Sequence, residues 1–241
     1  MGNDKEFKEF ENLPEGWKWI RLGEVGENKK FSIVDGPFGT QLHADEYIED
    51  GEIPVVRVIN LSYEGKFIEK DLVFISNEKA KKLSRSKVIS GDIIIAKTGA
   101  TIGKCAIFPN SFLEGIIASS CMKVSIDKTK ANNLFLLFWL VSRYGQDEII
   151  NSALGTTRTT INITPFKNLK IPLPTLPEQQ KIAEILSQID QTIEKEQQYK
   201  EKLQKIKQGL MQDLLTGKVR VNKLLEVENN EQRYTNNFTR T

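Results

Sequence analysis

The chain has 241 residues, with 34 lysines and arginines against 32 acidic side chains, a formal charge of only +2. That balance neither demands nor excludes nucleic acid, because binding depends on where the charge sits. With 39% hydrophobic and 27% charged residues the composition is that of a soluble globular protein with a real core, and no apolar run is long enough to cross a membrane.

The start, Met1-Gly-Asn-Asp-Lys-Glu6, is polar and carries no signal-peptide pattern, so a cytoplasmic location is expected. Residues 1–12 are charged and expected to be flexible. From Trp17 to Ile163 short apolar runs are separated by turn signals. Asp35-Gly-Pro-Phe-Gly-Thr40 is a turn with an aromatic at its tip, placed either to approach DNA or to plug the core. Val55–Ile59, Asp92–Ala96 and Lys104–Phe108 read as strands, being β-branched or apolar and bounded by Gly or Pro, and Gly115–Ala118 and Met122–Ile126 as two more. Asn77–Leu83 reads as a short helix capped by Ser76 or Asn77. It opens a basic run, Lys79, Lys81, Lys82, Arg85 and Lys87, suited to phosphates but equally ordinary as a solvated face.

The two cysteines, Cys105 and Cys121, have small or apolar neighbours and no metal-ligand spacing, and are expected to be buried, reduced thiols. Between two of the strands lies Ala96-Lys-Thr-Gly-Ala-Thr-Ile-Gly-Lys104, whose glycines let backbone approach a ligand while Lys97, Thr98, Thr101 and Lys104 offer charge and hydroxyls. A plain hairpin turn with surface lysines fits it as well. Leu134–Val141 is apolar nearly all round, the pattern of a buried core helix. Gly155-Thr-Thr-Arg-Thr-Thr-Ile-Asn162 sets hydroxyl and amide side chains around one arginine. Arginine reads guanine, asparagine reads adenine, and threonine touches phosphate or a thymine methyl. Runs of strands with inserted helices indicate an α+β fold.

Beyond that domain, Pro172, Pro174 and Pro177 fix an extended connector. Pro177 suits the first turn of a helix and Glu178 its positive end. From Glu178 to about Leu215 apolar residues follow a seven-residue repeat through Ile182, Leu186, Ile189, Ile193, Leu203, Leu210 and Leu214, interrupted by Glu196, Lys200 and Lys207. Gly217 is a plausible stop. Such a helix is roughly 57 Å long at about 1.5 Å per residue; its stripe calls for a partner helix, the alternative being that it folds back over its own domain. The organisation expected is thus 1–12 flexible, 13–176 a globular domain, 177–217 a long coiled-coil helix, and 218–241 a tail rich in Asn, Glu and Thr.

No catalytic constellation is visible. His43 is the only histidine, so neither a His-based triad nor a His-rich metal site can form, and no Walker loop, strand-linked Gly-x-Gly-x-x-Gly or amino-methyltransferase tetrapeptide is present.

Several blocks stand in a familiar order. Leu13-Pro-Glu-Gly-Trp17 with Arg21-Leu-Gly23, Asp35-Gly-Pro-Phe-Gly-Thr40, Pro54-Val-Val-Arg57 with Asn60, Gly91-Asp-Ile-Ile-Ile95 with Thr98-Gly, Gly155-Thr-Thr-Arg158, Ile171-Pro-Leu-Pro174 and Pro177-Glu-Gln-Gln-Lys-Ile182 together resemble the specificity subunits of type I restriction-modification enzymes, over roughly residues 13–221. In that family a full subunit carries two target recognition domains, each followed by a conserved helix, and the two helices pack antiparallel. It is not an enzyme and holds neither metal nor cofactor. Modification subunits bring S-adenosylmethionine and adenine methylation, and motor-nuclease subunits join for cleavage. This chain has one such domain and one helix, so the resemblance implies a half-length form that pairs with a twin through Ile182, Leu186, Ile189, Ile193, Glu196, Lys200, Leu203, Leu210 and Leu214. Two domains on a dyad would read a palindromic split site in double-stranded DNA, the half-sites within one to two helical turns of about 34–36 Å. The residues expected to read bases are Thr98, Thr101, Arg158, Thr159 and Asn162, with Lys97, Lys104, Lys81, Lys82 and Arg85 on the backbone. The competing expectations are a protein-interaction module that docks modification subunits without productive DNA reading, and pairing with a different specificity chain.

Overall fold

The computed structural model describes residues 13–153 and 160–222; the expectations for 1–12, for Arg158 and Thr159, and for most of the tail lie outside the described residues. The described chain runs β1 (Lys18–Arg21), β2 (Ile33–Asp35), β3 (Ile53–Val56), β4 (Val73–Ile75), α1 (Asn77–Lys82), β5 (Lys87–Ile89), β6 (Ile93–Ala96), β7 (Cys105–Ile107), β8 (Glu114–Ile117), β9 (Cys121–Val124), α2 (Asn133–Val141), α3 (Arg143–Ala153), α4 (Ile163–Lys167), β10 (Lys170–Leu173) and α5 (Leu176–Leu215). The class is α+β, as the sequence implies. No helix among the described residues is long and apolar enough to cross a membrane.

Two four-stranded sheets, β2-β9-β6-β7 and β4-β3-β8-β5, carry the globular part, and a separate pair joins β1 to β10. All pairings are antiparallel except β3 with β8. The alternation of side chains along a strand explains the layering. On β6, Ile93 and Ile95 enter a core shared with Leu136, Leu140 and Phe166 of the helices, while Ile94 and Ala96 enter a second core with Val56, Phe108 and Ile117. Val55 and Ile116 turn the other way, onto Ala80 and Leu83 at α1. Each run of isoleucine and valine is therefore apolar throughout because both its faces are covered. Cys105 and Cys121 are fully buried, and burial pushes both thiols up to about 12.

Two expectations shift. The strand expected over Val55–Ile59 stops at Val56, because Asn60 pulls the chain into a 3-10 turn at Val58–Asn60. Its buried side chain accepts from the Arg57 N–H at 3.0 Å and donates to the carbonyls of Ile68 and Lys70. The connector with three prolines is only partly a connector: Pro172 lies within β10, opposite Trp19 of β1. The α1 helix forms as expected, with the Ser76 hydroxyl capping the Lys79 N–H. Asn132 caps α2 in the same way at the Phe135 N–H.

The chain divides into two compact units between Leu186 and Ser187, inside α5. In the first, the start of α5 is locked by polar contacts. Trp17 Nε1 donates to Glu178 Oε1 at 3.1 Å, and Gln179, fully buried, accepts from the Asn132 N–H at 2.8 Å and donates to the Pro174 carbonyl at 2.9 Å. In the second unit Ile189, Ile193, Leu203, Leu210 and Leu214 are 41–58% exposed. The helix stops where the sequence suggests: Gly217 takes a φ of +74°, a left-handed conformation, and its N–H reaches the Leu214 carbonyl.

Candidate nucleic-acid interface

The loop between β6 and β7 is closed at its base by two backbone bonds, Ala96 N–H to the Lys104 carbonyl at 2.8 Å and Gly103 N–H to the Ala96 carbonyl at 3.2 Å. A single 3-10 turn, Gly99–Thr101, forms its tip, where Gly99 has a φ of +66° and open space around it. Gly103 is there for a tighter reason. Its φ is +88° and a Cβ would sit 2.2 Å from Gln146 Oε1, while Gln146 Nε2 holds the Gly103 carbonyl at 2.9 Å. From the other side the Tyr63 hydroxyl donates to the Ala100 carbonyl at 2.9 Å, and the Lys104 ammonium lies 5.5 Å from the Tyr63 ring centre. The loop is thus preorganised rather than slack. Thr101 spends its hydroxyl proton on the Thr98 carbonyl.

Two polar stretches distant in sequence meet here. Lys97 accepts the Ile161 N–H at its carbonyl, 2.8 Å, and Thr98 pairs with Thr160 in an antiparallel bridge. Asn162 follows, exposed and extended, at the head of α4 with its side chain making no cap bond. On the opposite flank Lys97 Nζ binds Asp35 Oδ2 at 3.1 Å, which ties in the 35–40 turn. In that turn Phe38 is 69% exposed, so it does not plug the core. Gly36 sits so close to β8–β9 that a Cβ would fall 1.9 Å from the Ala118 carbonyl oxygen. The Asp35 carbonyl in turn accepts the Ser86 hydroxyl at 3.2 Å, bringing in the segment after α1. Four sequence-distant polar segments are therefore joined by direct bonds.

A family model, the type I restriction modification DNA specificity domain, matches residues 14–205. The chain belongs to that family. It is 31% identical over 225 residues to the type I restriction enzyme MjaVIII specificity subunit of Methanocaldococcus jannaschii, covering 91% of this chain and 51% of that protein. It is 27% identical over 214 residues to the EcoKI specificity subunit of Escherichia coli, covering 86% and 44%. The chain thus spans about half the length of the curated relatives it matches. Among solved structures, the HsdS subunit from Thermoanaerobacter tengcongensis aligns with a TM-score of 0.58 at 22% identity, over 83% of this chain and 48% of that one, a likeness of fold.

Within this family member the basic run is less free than its sequence implies. Lys79 pairs with Glu46 at 2.5 Å, Lys82 with Glu78 at 2.7 Å and Lys87 with Glu114 at 3.0 Å. The Lys82 bond holds the Glu78 carboxyl below its ordinary range and raises the lysine. Glu46 is lowered first by the His43 N–H and then by Lys79. Lys81 is exposed, and Arg85 lies over the Phe31 ring at 5.9 Å. Sequence reading gave no sign of Asp35 as the link between segments, because its partner Lys97 is 62 positions away. Phe31 is likewise unmarked in the sequence, and Gln179 stands out only as part of the Pro177–Ile182 block. Ile182 is half-buried, at the packed end of α5 near Ala183, rather than on an open stripe. Among the described residues no group of three or more His, Cys, Asp or Glu side chains is placed to hold a metal.

Proposed function

We propose that this chain is a DNA-reading half of a specificity subunit, directing a methyltransferase to a split site in double-stranded DNA. The observation that carries the reading is the joining of the 97–104 loop, the 160–162 segment and the 35–40 turn through Lys97. In this reading Thr98 and Asn162 read base edges, Arg158 and Thr159 are assigned the same role, and Thr101 accepts through its two lone pairs. Lys104, Lys81, Lys82 and Arg85 lie along phosphates. Lys97, neutralised by Asp35, positions the loop instead of contacting DNA.

The chain does no chemistry itself in this reading. An exposed apolar stripe of the length seen on α5 calls for cover, and a twin helix supplies it with matching spacing. Antiparallel pairing gives an isologous dimer with two recognition domains on a dyad, hence a palindromic target with a central gap. Each half recruits a modification subunit that carries S-adenosylmethionine for adenine methylation, and motor-nuclease subunits join for cleavage.

The test is the mass in solution by light scattering, for the chain alone and mixed with a modification subunit, followed by selection of bound duplexes from a random pool. A dimer that takes up two modification subunits and enriches a palindrome is the expected result. A monomer that stays alone overturns the pairing. A dimer that binds modification subunits but enriches no sequence makes the chain a docking module.

A further inference from the structure

Phe31 occupies a position that its side chain should avoid. Residues Lys29 to Ser32 form a tight turn, closed by the Ser32 N–H on the Lys29 carbonyl at 3.3 Å, and Phe31 is its third residue with a φ of +67°. That conformation suits glycine or asparagine, and a bulky aromatic there is strained. The turn is not loosely held. The Glu27 N–H reaches the Ser125 carbonyl at 2.9 Å, and the Ser125 N–H reaches the Ser32 carbonyl at 2.7 Å. Strain of this kind persists at sites where the side chain is used.

The ring has no core to fill, being 41% exposed. Two cations attend it instead: Lys30 Nζ lies 5.1 Å from its centre and the Arg85 guanidinium 5.9 Å. Among the described residues neither cation is held by a carboxylate, whereas neighbouring Lys29 is taken by Glu27 at 3.3 Å. An apolar ring edged by two available cations matches a sugar–phosphate backbone, deoxyribose on the ring and phosphates on Lys30 and Arg85. The cluster also connects to the proposed reading surface. Arg85 adjoins Ser86, whose hydroxyl bonds the Asp35 carbonyl, and Asp35 holds Lys97.

We infer that Phe31, Lys30 and Arg85 form a backbone clamp that grips one strand of duplex DNA beside the base-reading loop. The inference rests on the proposed DNA-reading role. It assigns grip rather than sequence choice to this cluster.

The experiment compares full-length wild type, Phe31→Gly, Phe31→Trp and Arg85→Ala by thermal unfolding and by anisotropy titration against two duplexes over a range of salt. One duplex is selected by the wild type and the other is unrelated. Phe31→Gly should melt at or above the wild-type temperature, since glycine relieves the turn, yet bind both duplexes several-fold more weakly by the same factor. Phe31→Trp should restore binding. Arg85→Ala should reduce the slope of log affinity against log salt by about 0.9. The clamp is overturned if Phe31→Gly leaves affinity unchanged, or if its melting temperature falls together with its affinity. A wild type that binds both duplexes equally, with both weakened alike in Phe31→Gly, would sink the sequence choice and still support the clamp.

Discussion

Asp35 and Lys97 form the joint of the proposed DNA surface: carboxylate and ammonium lie 3.1 Å apart, with side chains only 27% and 14% exposed. The pair links the end of β2 to the end of β6, two strands separated in their sheet by β9. Asp35 Oδ1 is buried without a hydrogen-bond partner, so the carboxylate depends on Lys97 for its compensation. A half-buried charge that loses its partner costs roughly 1–3 kcal/mol, more than a solvent-exposed pair contributes.

Lys97→Met should therefore lower unfolding free energy by about 1–3 kcal/mol while leaving the salt slope of DNA binding as it was. Lys81→Ala should do the reverse, with unchanged stability and a slope smaller by about 0.9. Denaturant titration and salt-dependent anisotropy on both variants decide the matter. A reduced slope in Lys97→Met would return that lysine to the phosphate contacts.

The second prediction concerns the root of α5. Gln179 is fully buried and saturates the Asn132 N–H and the Pro174 carbonyl, with the Lys130 carbonyl more distant at 3.4 Å. Leucine at this position fills similar space but strands both backbone groups, each at about 1–3 kcal/mol. Gln179→Leu should lose roughly 2–5 kcal/mol in urea unfolding, whereas Gln180→Leu, one position along and exposed, should lose under about 0.5 kcal/mol. Similar losses in both would mean that the lock contributes little.

Gln179 also marks the limit of what is legible in the sequence. The Pro-to-helix junction, the isoleucine strands and the apolar α2 stand out because periodicity and proline act locally. The buried amide does not, since its acceptor role depends on Asn132, 47 positions away. The same holds for Asp35 and Lys97. α3 went unread because Arg143–Ala153 is polar on most positions, and only Gly145, Ile149 and Ala153 are buried. The short edge strands β1, β4 and β5 carry too few residues for an alternation to show. Phe31 is invisible for the opposite reason: its sequence neighbours carry no turn signature, and only the backbone angle exposes the conflict.

The cysteines give a pH signature. Burial pushes Cys105 and Cys121 up to about 12, against about 8.5 in an unfolded chain. The folded state thus retains thiol protons that the unfolded state releases, and the associated stability is complete below pH about 8.5 and lost as pH rises towards 12. The denaturation midpoint should decline over that window, and the Cys105→Ala/Cys121→Ala double variant should decline less steeply. Alkylation of the wild type at pH 8 should proceed only as fast as unfolding. Rapid labelling of native protein would contradict the burial of both thiols.

The last prediction separates pairing from folding. Ile193 is 58% exposed, so polar replacement removes little buried surface within the chain. In the proposed antiparallel pair it faces the twin helix, where a serine forfeits roughly 1.5–3 kcal/mol of burial per copy. Ile193→Ser should shift the mass from dimer to monomer at micromolar concentration with the melting of the globular unit unchanged. In the same proposed pair, the polar interruptions are assigned the register. Glu196 and Lys200 lie near the centre of α5, and the proposed antiparallel pair would set each against the other's counterpart across the axis. Glu196→Lys and Lys200→Glu should each weaken dimerisation by placing like charges together, and the double exchange should restore it. Single variants that remain fully dimeric would dismiss the charge register, and an Ile193→Ser protein of unchanged mass would dismiss the helix as the pairing surface.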